Sequence, residues 1–280
     1  MPEIIEKYYS LKELWSSLNK LNKSRKYLAG GTDLTISLAY GEEKTEVWID
    51  ISDIKELSLI EDRKEFVFIG AGIKISQLEN NPIIKKWVPA LAESVKYYAS
   101  PSIRNTATLG GNYVNASPCA DGVLALAASQ ASVVLNLKNR RRTLPLLSII
   151  KGPKKIDLKK DEIAEGFLVP KIKHEAVFYK MMARKRFGIS KAGLCMCYSV
   201  NNNKLEYVSI ALSSVAPSII KASKTEGFLK NKKIDRDTVK KACEIIKSEI
   251  SPIDDIRSQA EYRKEIISVF LQRALQKTIV

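Results

Sequence analysis

The 280-residue chain has one histidine, His174, and four cysteines, Cys119, Cys195, Cys197 and Cys243. With a single histidine and no GxSxG elbow, the sequence gives no support to a Ser-His-Asp hydrolase. No two cysteines form a CxxC pair, so neither a zinc ribbon nor a ferredoxin-type cluster is encoded. Cys195 and Cys197 stand two apart in a strand-like stretch, share one face, and read as small buried hydrophobes. The usual nucleotide fingerprints are missing too. Gly70-Ala71-Gly72 opens like GxGxxG, but Ile75 stands where the third glycine belongs, and no GxxxxGK[ST] occurs. No run approaches the roughly 18–20 apolar residues of a membrane span. The start, MPEIIEKYYS, lacks the basic and apolar regions of a signal peptide. A reducing, cytoplasmic setting is the expectation.

Charge of one sign dominates what is present. Lys and Arg number 46 against 31 Asp and Glu, a formal charge of +15. The cations are dispersed, with short clusters only at 138–142 and 180–185. Dispersed charge reads as a solvated basic surface, or a basic face towards a less basic subunit; a nucleic-acid footprint would be a stripe. The hydrophobic fraction of 45% is that of a chain that buries a core. The length suggests about two domains.

Ser10 and Glu13 form a capping box before Leu11, Leu14, Trp15, Leu18 and Leu21, which predicts a helix over about 11–22. Residues 27–29 read as a short strand that runs into Gly30-Gly31 and then a short helix. Strands are expected at 46–51 and 66–71, and a helix at 89–98. After ATLGGNYVNASPCAD (107–121), read as a long loop, come a helix (GVLALAAS), a strand (ASVVLNL) and a hairpin arm (RTLPL). Beyond about 172 the pattern changes to antiparallel strands, with NNNK as a turn inside a hairpin. Two helices close the chain. One covers 237–250. The other starts at a second capping box, Ser258 to Glu261, with Tyr262, Ile266, Val269 and Phe270 on one face. The class is α+β.

Two glycine loops carry the binding signal. Glycine pairs after strands let the backbone approach a ligand and expose consecutive N–H groups. A following helix adds its free amides and dipole, which favour phosphate. Ala29-Gly30-Gly31-Thr32 fits this, and so does a steric turn. Thr108-Leu109-Gly110-Gly111-Asn112 repeats the chemistry, and Ser117 and Asp121 follow. A carboxylate suits sugar hydroxyls and repels phosphate. One phosphate-friendly loop plus a loop ending in a carboxylate fits a dinucleotide. The competing reading is an extended loop whose Asn and Asp bond their own backbone, although so long a loop is uncommon unless it binds something.

AGGTDL (29–34), SIRNTATLGGNYVNASPCAD (102–121) and DDIRSQAEYRKEI (254–266) together resemble the FAD-binding medium subunit of molybdenum hydroxylases, the xanthine dehydrogenase and carbon monoxide dehydrogenase family. The resemblance covers essentially the whole chain. It implies a two-part FAD-binding domain of the PCMH/vanillyl-alcohol-oxidase type over 1–172, with a break near 58, followed by a C-terminal antiparallel sheet with helices over 173–280. Leu28, Ala29, Gly30, Gly31, Thr32, Asp33 and Leu34 would line the pyrophosphate. Thr108, Gly110, Gly111 and Asn112 match the second loop's contact positions, with Ala99 and Ala107 beside them. Asp121 matches a hydroxyl-binding aspartate. Ile163 and Ala164 match an apolar edge near the flavin, and Lys180 a lysine near the cofactor. The chain departs from relatives in two places. Ala107-Thr108 replaces Gly-Thr, so Ala107 should avoid positive φ. Arg186-Phe187-Gly188 stands where some relatives carry acidic residues.

The same resemblance implies the role of an electron bridge. FAD, held non-covalently because His174 lies outside both loops, takes electrons singly from an iron–sulfur small subunit. It passes a pair to NAD+ or another acceptor. A large subunit with molybdenum cofactor does the substrate chemistry; this chain encodes no metal ligands and no catalytic residue. Arg257, Tyr262 and Arg263 read as semi-exposed anchors, for capping and salt bridging or for partner contact. Cys119 reads as a small residue filling a turn, with redox sensitivity as the alternative. The rival functions are a stand-alone flavin-dependent reductase and a nucleic-acid-binding protein.

Overall fold

The N-terminal helix follows its apolar spacing. In the computed structural model, which describes residues 4–18, 23–41, 45–138, 140–184 and 187–279, strand β1 (Ile4–Lys7) leads to helix α1 (Leu11–Leu18). Leu11, Leu14, Trp15 and Leu18 are all buried. Ser10 caps the helix, its Oγ accepting from the Glu13 amide at 3.2 Å. The Glu13 carboxylate reaches the amide of Tyr9 at 3.0 Å rather than that of Ser10. The rest of the expected helix, residues 19–22, lies outside the described residues. Strands β2 (Arg25–Leu28) and β3 (Val47–Asp50), joined through helix α2 (Leu34–Ala39), complete a parallel sheet of order β1-β3-β2. Leu14 and Leu18 pack on it with Val47, Ile49, Ile54, Leu57 and Ile163.

A 3₁₀ turn (Lys55–Ser58) leads to β4 (Ile60–Asp62) and β5 (Phe66–Gly70). Six short helices follow: α3 (Ile75–Leu78), α4 (Pro82–Trp87), α5 (Pro89–Val95), α6 (Pro101–Thr106), α7 (Leu109–Val114) and α8 (Asp121–Ala128). Three of them open on a proline, whose missing N–H costs nothing at that position. Then come β6 (Ser132–Leu137), β7 (Arg140–Pro145), the small hairpin β8 (Ile150–Gly152) and β9 (Lys155–Ile156), and β10 (Ile163–Pro170). β4, β5, β10, β6 and β7 form an antiparallel sheet in that order. Ile163 belongs to the N-terminal core and Ala164 to the core under this second sheet. The first residues of β10 therefore sit at the seam between two packing units.

The last part is a four-stranded antiparallel sheet, β11 (Glu175–Met182), β12 (Ser190–Asn201), β13 (Lys204–Ser213) and β14 (Ile220–Lys221), with helices α9 (Ser223–Leu229), α10 (Arg236–Ser248) and α11 (Ala260–Gln276). Asn202 and Asn203 make the β12–β13 turn at φ +49° and +58°, a conformation asparagine tolerates. Strand periodicity splits β12 between two cores. Cys195 and Cys197 face α5 and α8, and Leu194, Met196 and Tyr198 face α10 and α11. With both faces covered, this sheet is packed against the preceding part of the chain.

Three expectations need correction. The 107–121 stretch is not an open loop: α7 and the start of α8 lie in it, because Thr108 caps one helix and Asp121 opens the next. Ser258 and Glu261 form no capping box. α11 begins at Ala260, whose amide donates instead to Asp254 Oδ1 at 2.5 Å. The buried face of α11 is Arg263, Ile267, Phe270, Leu271, Ala274 and Leu275, so Tyr262 and Val269 are exposed and Arg263 is not. The face that packs is the apolar stripe of Ile267, Phe270, Leu271, Ala274 and Leu275, offset from the expected one, and Arg263 lies in line with it.

Leu14 is fully buried under the parallel sheet. Leu14→Ala is expected to lower stability by about 2–5 kcal/mol, read from the denaturant midpoint. An unchanged midpoint would show that α1 packs loosely.

Candidate functional site

The first glycine loop leaves β2 at the edge of the parallel sheet. Gly31 has φ +69°, which a side chain would strain. Gly30 is glycine for another reason: a Cβ there would lie 2.2 Å from the Thr106 carbonyl oxygen. The loop thus rests directly on the segment that precedes the second loop. The amides of residues 30–34 donate to no acceptor among the described residues. They form a short row of donors in residues that border a cleft.

The second loop is sewn to the turn after β5. Leu109 and Gly110 donate to the carbonyls of Ile73 and Ala71, at 3.0 and 2.7 Å. Gly110 is hemmed in: a Cβ would lie 2.5 Å from Ala71 Cβ. Gly111 is not, since a Cβ would meet only Thr108 Oγ1 at 3.0 Å, the atom that accepts the Gly111 amide. Gly110 is therefore needed by the fold, and Gly111, which lines the same cleft, is the less crowded of the two. Ala107 is extended at φ −60°, as the Ala-for-Gly replacement requires. Asn112 Oδ1 accepts the Val123 amide at 3.3 Å and ties the loop to α8. Asn115 Nδ2 donates to Asp33 Oδ1 at 3.2 Å and joins the two loops.

Between the loops lies a cleft of about 560 Å³. It is lined by residues 28–34, by Ala107, Thr108, Gly110, Gly111 and Asn112, and by Ile163 and Ala164. Fourteen of the seventeen residues marked in the sequence thus converge on one space. Ala99, Asp121 and Lys180 do not line it. Ala99, at φ +27°, has its carbonyl held by Arg104 Nη1 at 3.1 Å. Asp121 and Lys180 form a buried pair behind the wall: Lys180 Nζ donates to Asp121 Oδ2 at 2.6 Å and to the Tyr97 carbonyl at 3.1 Å. Burial pushes the Asp121 carboxyl up to about 6, while Lys180 pulls it down. Asp121 Oδ1 is buried and has no hydrogen-bond partner among the described residues.

Sequence reasoning missed Tyr98, which lines the cleft at 9% exposure, and Asn115, which lay within the quoted segment. It also left Gly70 and Gly72 as a failed fingerprint. A Cβ on Gly70 would lie 2.2 Å from the Leu57 carbonyl oxygen, so that glycine serves backbone packing; Gly72 lines the cleft. Arg25, which lines the cleft, forms a fork with Asp161, Nε–Oδ1 2.8 Å and Nη2–Oδ2 2.6 Å, which joins the first sheet to the approach of β10. Arg186 lies outside the described residues.

Two glycine-bearing loops from two subdomains, closing on one cleft with unpaired amides, define a dinucleotide-binding fold. The chain belongs to the family described as the FAD binding domain in molybdopterin dehydrogenase, whose model matches residues 6–172, and the CO dehydrogenase flavoprotein C-terminal domain matches residues 177–278. It is 30% identical over 246 residues to the nicotinate dehydrogenase FAD-subunit of Eubacterium barkeri, covering 86% of this chain and 83% of that one. It is 29% identical over 267 residues to the carbon monoxide dehydrogenase medium chain of Hydrogenophaga pseudoflava, covering 95% and 93%. A carbon monoxide dehydrogenase structure from the same organism superposes with a TM-score of 0.92 at 28% identity, over 99% of this chain and 96% of that one. The chain is thus an FAD-binding component of xanthine dehydrogenase-like oxidoreductases, and its α+β fold is the one the motifs implied.

The residues present fit FAD. Residues 30–34 line the cleft and their amides have no acceptor among the described residues, a chemistry that suits a pyrophosphate. Gly111 and Asn112 line the cleft beside them, and a Cβ on Gly111 would meet a single atom, Thr108 Oγ1. Gly111→Val is expected to abolish FAD retention with little loss of stability, whereas Gly110→Val should unfold the loop. Equal flavin content in Gly111→Val and parent would remove this loop from the site. Asp121 also predicts a pH dependence. Its folded pKa lies above the unfolded value, so between about pH 4 and 6 the folded chain keeps a proton that the unfolded chain has lost. Stability drawn from this site falls as pH rises through that window. Urea titrations at several pH values should show the parent losing ground to Asp121→Asn across it; a constant difference would contradict the assignment.

Proposed function

We propose that this chain is the electron-transfer subunit of a molybdenum-containing hydroxylase, binding FAD non-covalently in the cleft. In this reading residues 1–172 hold the cofactor and residues 173–280 form a second domain packed against it. An iron–sulfur small subunit delivers electrons, a molybdenum-cofactor large subunit oxidises the substrate, and NAD+ or another carrier takes the electron pair. The single observation that carries the reading is the contact of the two loops: Gly30 lies on Thr106, Asn115 bonds Asp33, and the cleft between them presents unpaired amides.

When bound, FAD supplies the conversion between one-electron and two-electron transfer. The chain's own residues bind and orient it. The amides of residues 30–34 would hold the pyrophosphate, and Thr108, Gly111 and Asn112 the facing side. Ile163 and Ala164 give an apolar edge that excludes water. Asp121, paired with Lys180 off the cleft, would brace the second loop from behind. Lack of a tether is supported by His174, whose Nδ1 lies 2.6 Å from the Ile172 carbonyl oxygen and whose ring does not line the cleft.

An absorbance spectrum before and after acid precipitation tests the cofactor assignment. Flavin bands should pass into the supernatant. Flavin that stays with the pellet would mean a covalent link, and steady NADH oxidation by the isolated chain would favour a stand-alone reductase over a subunit.

A further inference from the structure

Arg263 is a buried cation. Its side chain is 4% exposed, although Tyr262 beside it faces solvent. A buried guanidinium is costly unless fixed partners hold it. Asp255 Oδ1 accepts from Nη2 at 2.5 Å, and the Ser214 carbonyl accepts from Nη1 at 2.9 Å. Arg257 grips the other oxygen of Asp255, from Nε at 2.9 Å and Nη2 at 2.6 Å. Burial alone would raise the Asp255 carboxyl. The hydrogen bonds from Arg263 and Arg257 outweigh it and hold the group well below the ordinary range. The motif DDIRSQAEYR thus builds one ionised node.

The node is aimed at a strained residue. Ser214 has φ +63°, the left-handed region that disfavours a serine unless its surroundings hold it there. In that conformation it turns two donors onto the second cofactor loop. Its amide donates to the Pro118 carbonyl at 2.9 Å, and its hydroxyl to Cys119 Sγ at 3.1 Å. Arg257 Nη1 reaches the same sulfur at 3.7 Å. Two residues on is Asp121, which Lys180 anchors; four residues before Cys119 is Asn115, which bonds Asp33 of the first loop.

We infer that Arg263, acting through Ser214, is a positioning residue for FAD: it fixes segment 117–121 from behind and so the placement of Asn115, which lines the cleft, against the cofactor. This rests on the FAD reading above. A helix-packing arginine would not require a left-handed serine. The geometry is accounted for if the C-terminal domain must present donors to the loop at a fixed height.

The test uses the full chain and three variants. Leu271→Ala, buried on the same helix and away from the loop, is expected to lower the melting temperature and leave the FAD dissociation constant unchanged. Ser214→Ala and Arg263→Met are expected to weaken FAD by about tenfold, about 1.4 kcal/mol at 25 °C, and to alter the visible circular dichroism of bound flavin. Parent-like affinity in both would overturn the inference. So would equal weakening by Leu271→Ala, which would mean general loosening. If Arg263→Met fails to fold, Ser214→Ala decides alone, since it keeps the backbone and removes only the hydroxyl. A parent chain that takes up no FAD would sink the functional reading and this inference together; a parent that binds FAD beside unaffected variants would sink only the inference.

Discussion

The backbone of Gly30 lies against the carbonyl of Thr106, and the site depends on that contact. It brings a loop from a parallel sheet against a loop sewn to an antiparallel one. No other residue permits it, because a single methyl group would lie 2.2 Å from the oxygen. From this approach follow the bond between Asn115 and Asp33, the shared cleft, and the row of amides with nothing of the protein's own to bind. The cleft is a by-product of two cores that meet at β10 without merging, Ile163 in one and Ala164 in the other.

The second loop is held from behind as well. Lys180 on β11 grips Asp121, and Ser214 at the end of β13 grips Pro118 and Cys119. Both anchors come from the C-terminal sheet, whose other face is stapled to α10 and α11 by an apolar core. A buried ion pair is weak support for stability, since desolvation offsets most of its attraction. Its worth here is geometric. Lys180 and Arg263 each fix a direction that apolar packing alone would leave soft.

Local signals predicted local structure well. The spacing of Leu11, Leu14, Trp15 and Leu18 gives α1, Asn202 and Asn203 give the β12–β13 turn, and the alternation of Leu194, Cys195, Met196 and Cys197 gives a strand with two faces. Signals that depend on distant partners misled. Tyr262 and Val269 fit an apolar face of α11, yet the face that packs carries Ile267, Phe270 and Leu271 together with Arg263, whose partners Asp255 and Ser214 are reached only in three dimensions. The 107–121 segment looked like a loop because Gly110 and Gly111 disfavour helix. Thr108 as cap and the bonds to Ile73 and Ala71 made α7 nonetheless.

The sequence by itself determined the class, the two glycine loops and the family, because these rest on residue types at short spacing: glycine where the chain must come close or turn, a carboxylate set apart from a phosphate-friendly loop. Tertiary structure alone decided which marked residues meet. It put residues 28–34 on one cleft with residues 107, 108 and 110–112, and kept Asp121 and Lys180 off it. It packed Gly110 against Ala71 and left Gly111 on the cleft, and it turned a surface-looking arginine into a buried anchor. The reason is physical. Burial, desolvation and the fit of one backbone on another are properties of pairs of segments far apart in the chain, and no window of sequence contains both members.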